Sequence, residues 1–198
     1  MLQGRAAGVQ VQQNSGTPGG SSSIRIRGIN SLNAYNLERS EAKTDALIDY
    51  VKYIDQQNGS PIVDGIGTQM HISTDTDSAG IAIMFTKLAA TGKLIRITEL
   101  DITNGGKSSP TAEQLAAQSD KYKQVLDIYF SIVPREQQYG VCVWSLSDNE
   151  NEHEYWLNGE TPNLFDAKYN RKHAYKGFCD GLAGRVIGDE FKSQVYGE

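Results

Sequence analysis

The chain has 198 residues, 38% of them apolar and 22% charged, with 20 glycines and 5 prolines; this suits one folded domain and excludes a wholly disordered or collagen-like chain. Lysine and arginine number 19 against 24 acids, so the net charge is -5 and no broad basic surface exists to neutralise nucleic acid or anionic lipid. No apolar run reaches the roughly eighteen residues of a membrane span, and the opening MLQGRAAGVQ lacks a charged start followed by an apolar stretch, so neither a span nor a signal peptide is expected.

Residues 1–34 differ in composition from the rest. The stretch QVQQNSGTPGGSSS buries little apolar surface and reads as an irregular, poorly ordered linker. The following IRIRGI alternates Ile24 and Ile26 with Arg25 and Arg27, a short strand pattern with no sheet of its own to join. From Tyr35 onward helical and strand-like segments alternate, the pattern of a parallel α/β sheet. Ala42, Ala46, Leu47, Tyr50, Val51 and Ile54 mark one face of a first helix, and IVDGIGTQMHI reads as a buried strand with a close glycine approach. Ile81, Met84, Phe85 and Leu88 mark a second helix, closed by Gly92, and LIRITELDI is the next strand. Pro110 suits the first turn of a long helix carrying Leu115, Tyr122, Val125, Leu126, Tyr129 and Phe130. YGVCVWSLS then reads as a strand and RKHAYKGFCDGL as the last helix.

Within ITELDI, Glu99 and Asp101 are two residues apart and project to the same face of a strand. Two readings stand. The acids cap the next loop at the exposed end of the strand, or they form a catalytic pair. His71 ends the neighbouring strand, with Gln69 two residues earlier on its face, which brings an imidazole towards the carboxylates. Trp144 at the end of the third strand and Trp156 in the loop after it supply flat apolar platforms that suit sugar rings or an ordinary core. Chemistry at successive strand ends is the habit of α/β barrels. Cys142 and Cys179 are too few for a disulfide framework and lack zinc-site spacing, DNENE misses the EF-hand pattern, and GTPGG lacks the ending of a phosphate loop. No metal or other cofactor is expected.

The segments DGIGTQMHI, ITELDI, VWSLSDNENEHEYW and ETPNLFDAKYNRKHAYKGFCDGL resemble the second half of glycoside hydrolase family 10, the retaining endo-1,4-β-xylanases, over about residues 35–182. The resemblance implies part of a (β/α)8 TIM barrel, about strands five or six to eight, after a mostly irregular N-terminal segment. It implies Glu99 as nucleophile, with His71 and Asp101 as the hydrogen-bonded pair that orients it and holds it ionised. Gln69, Trp144, Trp156 and Tyr35 match residues lining the sugar subsites, while Ala34 stands where the family has an aspartate. The family's acid/base glutamate, after an Asn at the end of strand four, has no counterpart in that context; Glu150, Glu152 and Glu154 read as a solvated loop. Residues 1–34 look like the plug segment of TonB-dependent outer-membrane receptors that import glycans. The stretch from Tyr35 falls well short of the roughly 250 residues of a closed barrel, so an open half-barrel that invites self-association is expected.

Three functions follow from these expectations: a xylan-cleaving enzyme, a non-catalytic xylan-binding remnant, and a receptor-derived binding module. The expected partners are xylan or xylo-oligosaccharides, with no nucleic acid and no membrane span. By family, the expected location is secreted, periplasmic or cell-surface.

Overall fold

The computed structural model describes residues 9–13, 22–26, 29–57, 59–105, 109–151 and 157–188. They fall into two compact units, one drawn from residues 1–70, 79–98 and 132–142, the other from 71–78, 99–131 and 143–198.

In the first unit, β1 (Val9–Gln13) pairs antiparallel with β2 (Ser22–Ile26), and β2 antiparallel with β3 (Ile29–Tyr35). The expectation of an irregular N-terminal segment is therefore corrected for these strands. A β-ladder is made by backbone amides and carbonyls, so a Gln- and Ser-rich sequence serves where another strand offers an open edge. The Ile-Arg alternation does find a sheet, because β3 pairs in parallel with β4 (Gly65–Gln69) after the crossover helix α1 (Glu41–Gln57). In turn β4 pairs in parallel with the first half of β6 (Leu94–Thr103), and β7 (Gln138–Val143) also pairs with β6.

Every residue of β4 is buried, as its unbroken apolar and small-residue run requires for a parallel strand covered on both faces. A Cβ at Gly67 would stand 2.8 Å from both Asn33 Oδ1 and Thr98 Cγ2, so the expected close approach is real. Asn33 itself is buried and accepts a hydrogen bond from Thr98 Oγ1 at 2.9 Å. The helix α2 (Ser78–Ala89) buries Ile81, Met84, Phe85 and Leu88, the face the sequence marks. The face of α1 is rotated from the expected one. Thr44, Ile48 and Val51 are buried, whereas Ala42, Ala46 and Tyr50 are exposed. Thr44 satisfies its hydroxyl locally by donating to Leu37 O at 2.9 Å, so a polar residue occupies the inner face and hides it from a hydropathy pattern.

In the second unit, the short strand β5 (His71–Ser73) pairs in parallel with the second half of β6, with His71 opposite Asp101. The single apolar run expected through His71 is thus two strands separated at Met70. The helix α3 (Ala112–Ile132) starts with a reciprocal capping box: Gln114 N–H donates to Thr111 Oγ1 at 3.3 Å, and Thr111 N–H donates to Gln114 Oε1 at 2.8 Å. Pro110 accordingly precedes the cap instead of occupying the first turn. Leu115, Tyr122, Val125, Leu126 and Tyr129 are buried as expected, while Phe130 is exposed and Gln118 and Lys121 are buried instead.

The last helix, α4 (His173–Ala183), is closed by Gly184 in the left-handed conformation at φ 63°. It approaches α3 at backbone contact, since a Cβ at Gly177 would sit 2.0 Å from Ser119 O. A Gly177→Ala substitution must push the two helices apart and is expected to cost about 1–3 kcal/mol, measured by urea denaturation. An unchanged midpoint would show that α4 shifts freely.

Candidate active site

Strand geometry creates the site. The two-residue period of β6 puts Glu99 and Asp101 on one face, and the parallel register sets His71 beside them. His71 lies between the acids, with Nε2 3.1 Å from Glu99 Oε2 and Nδ1 3.0 Å from Asp101 Oδ1. Of the two readings open at the sequence level, the exposed-cap reading fails, because Asp101 is 2% exposed and the side chain of Glu99 only 15%. Burial alone would discharge the imidazole. The hydrogen bonds and charges of Asp101 and Glu99 outweigh it and raise the His71 pKa to about 9. With the pKa raised to about 9 the ring is expected to be charged at neutral pH, Nε2–H donating to Glu99 and Nδ1 standing beside the Asp101 carboxylate.

Trp144 follows the end of β7, held by its N–H donating to Leu100 O at 3.1 Å. Its ring meets that of His71 edge-on, with centroids 5.5 Å apart at 89°, and it remains 40% exposed. An open indole face beside a buried carboxylate cluster suits an apolar sugar face.

Tyr35 and Gln69 lie in the other unit, where they are register partners at the ends of β3 and β4. Gln69 is buried, and Lys43 Nζ sits 3.5 Å from the centre of the Tyr35 ring. Ala34, also buried, pairs with Thr68. Trp156, Glu152 and Glu154 lie outside the described residues, and Glu150 is exposed. Neither cysteine is in a disulfide, and both are partly buried. Among the described residues no three His, Cys, Asp or Glu side chains gather to hold a metal, and no helix is long and apolar enough to cross a membrane.

Sequence reasoning missed a buried polar network beside the site. Lys172 Nζ donates to Asp148 Oδ2 at 2.7 Å, Thr161 O at 2.7 Å and Asn163 O at 2.9 Å. Gln118 Nε2 donates to Ile102 O at 2.6 Å and Thr161 O at 2.8 Å. The lysine stands in a charged RKHAYK stretch and the aspartate heads the acidic DNENE, so both read as surface residues. The one available signal was a glutamine on the apolar face of α3.

The family model of glycosyl hydrolase family 10 matches residues 30–181, which take in these parallel strands and the helices between them, and the chain belongs to that family. The chain is 35% identical to endo-beta-1,4-xylanase Xyn10C of Cellvibrio japonicus over 174 residues, covering 77% of this chain and 28% of that protein. It is 38% identical to exoglucanase XynX of Acetivibrio thermocellus over 152 residues, covering 75% of this chain and 13% of that protein. Among solved structures, a mutant of Xylanase10C from Cellvibrio japonicus in complex with xylopentaose superposes with a TM-score of 0.69 at 32% identity, over 79% of this chain and 34% of that one.

The chain thus spans less than half the length of these relatives, and its α/β architecture is part of the family's (β/α)8 barrel. The family match begins inside β3, at residue 30, so the receptor-plug resemblance of residues 1–34 is not borne out.

Proposed function

We propose that this chain carries the nucleophile half of a retaining endo-1,4-β-xylanase site, with Glu99 as the nucleophile. The supporting observation is the imidazole of His71 held between Glu99 and Asp101, which fixes the rotamer of Glu99. In this reading a Glu99 oxygen attacks the anomeric carbon of a xylose unit, the glycosidic bond breaks, and the leaving oxygen takes its proton from a second carboxyl group. His71 and Asp101 are positioning residues. Trp144, Trp156, Gln69 and Tyr35 contact the sugar chain, whose polymeric size suits a secreted, periplasmic or cell-surface protein.

Because the acid/base carboxyl is not identified in this chain, the test uses a substrate that does not need it. Dinitrophenolate leaves without protonation, so a dinitrophenyl β-xylobioside is expected to glycosylate Glu99, detectable by mass and by phenolate release. In Glu99→Gln, release is expected to fall by on the order of a thousandfold or more. Equal release from both chains would remove Glu99 from the role. The buried Ala34, where the family has an aspartate, favours a second reading, a xylan-binding fragment without turnover. Xylo-oligosaccharide binding with no glycosylation even by the activated substrate would establish that reading instead.

A further inference from the structure

The network around Lys172 takes no part in the chemistry just described, yet it lies where the chain leaves Trp144. Lys172 is 1% exposed, a rare place for a lysine, and its ammonium finds three acceptors for its three protons. Asp148 answers with its other oxygen, Oδ1, which accepts from Asn163 N–H at 2.9 Å. Around this pair the segments 146–148 and 163–165 are laced together. Phe165 N–H donates to Leu146 O at 3.2 Å, Asp148 N–H to Phe165 O at 3.0 Å, and Asn163 Nδ2 to Ser147 O at 2.7 Å. The backbone N–H of Lys172 adds a bond to Leu164 O at 3.0 Å.

Trp144 stands four residues before Asp148 on the segment that this clamp holds. The ring is 40% exposed and meets His71 edge-on, and that contact requires its backbone to be held in place. That backbone is fixed at one end by the bond to Leu100 O on β6 and four residues later by the Asp148 carboxylate on Lys172. An ion pair with further hydrogen bonds has one good geometry, whereas an apolar contact of equal volume tolerates many.

We propose that Lys172, through its buried ion pair with Asp148, is a positioning residue that fixes the Trp144 ring against His71 and thereby sets the sugar platform beside Glu99. The sugar part rests on the xylanase reading above; the fixed ring does not.

The chain has two tryptophans, so Trp156→Phe leaves Trp144 as the sole indole emitter. A protonated imidazole in contact quenches indole emission, so intensity followed from about pH 5 to about pH 9.5 reads the Trp144–His71 contact as a titration step. The groups facing that imidazole are Glu99 and Asp101. Adding Lys172→Met is expected to reduce the step by roughly half or more. Asp148→Leu with Lys172→Met replaces the pair by apolar side chains that keep the fold, checked by far-ultraviolet circular dichroism and a denaturation midpoint, and is expected to lose the step equally.

A full step in the folded double variant overturns the proposal, as does the absence of a step in the Trp156→Phe parent. Xylotetraose separates the two parts. Quenching of the parent by xylotetraose, lost in the double variant, supports the sugar platform. An intact pH step with no xylotetraose response, and no xylotetraose binding by the chain with Trp156 intact as read by calorimetry, overturns the platform and the xylanase reading while leaving the fixed ring supported.

Discussion

Raising the pH from about 6 to about 10 is expected to cost the protein about 3 kcal/mol of folding stability through His71 alone. Its folded pKa of about 9 stands above the ordinary value of 6.5, so the native state holds this proton more tightly than the unfolded chain does. The contribution is complete below the unfolded pKa, where both states are protonated. It declines through the window from 6.5 to 9 and is gone above the folded pKa. The physical source is the buried imidazolium between Asp101 and Glu99, which loses its attraction to both carboxylates when it discharges.

The check is guanidinium denaturation at closely spaced pH values, with His71→Gln as the reference. Over that window the wild-type profile should fall relative to the variant's. Parallel profiles would mean that the ring is neutral in the native state and that its place between the acids is geometric only. A charged His71 also bears on the chemistry, since the same ring orients Glu99; the rate of glycosylation by the activated xylobioside is expected to decline over the same window.

Removing the ammonium of Lys172 is expected to be the most damaging single change to the fold. Lys172→Ala leaves the Asp148 carboxylate, 6% exposed, without its counter-ion and strips a donor from the carbonyls of Thr161 and Asn163. Breaking a buried pair from one side costs about 3–5 kcal/mol, because the remaining charge is desolvated and uncompensated. For a chain of this length that corresponds to a Tm lower by about 10 °C. Burial pushes the Asp148 pKa up and the Lys172 pKa down, each opposed by the partner's charge, which is the signature of a pair that must be kept or removed together. Asp148→Leu with Lys172→Met should therefore recover most of the loss. A Lys172→Ala chain that melts like wild type would show that the cavity hydrates readily and that the pair contributes little.

The sequence carried the His71, Glu99 and Asp101 cluster in its local pattern. Glu99 and Asp101 at a spacing of two on an apolar strand had to share a face, and the neighbouring parallel segment through His71, although it proved to be two strands, carried the ring towards them. The inner face of α2 and the close approach at Gly67 were legible for the same reason, since burial there follows hydropathy and size. Polar residues buried through hydrogen bonds were not legible. Thr44 turned the face of α1, Gln118 and Lys121 joined that of α3, and Lys172 with Asp148 went to the interior from stretches that read as surface. Hydropathy prices each of these side chains as if it faced water, and except for Thr44 they take partners from distant points in the chain.

The hairpin of β1 and β2 was hidden in a related way, because its Gln- and Ser-rich residues are held by backbone ladder bonds to each other and from β2 to β3, which hydropathy does not register. Alternation and spacing thus determined the parallel α/β class, the strand that bears the carboxylates and the histidine that joins them. Tertiary structure alone decided that the histidine stands between two carboxylates that raise its pKa, that a lysine and an aspartate are buried beside the site, and that the N-terminal strands extend the sheet. The first two of those outcomes depend on buried ion pairs between residues far apart in sequence, and the third on backbone ladder bonds; neither exists until the chain has folded.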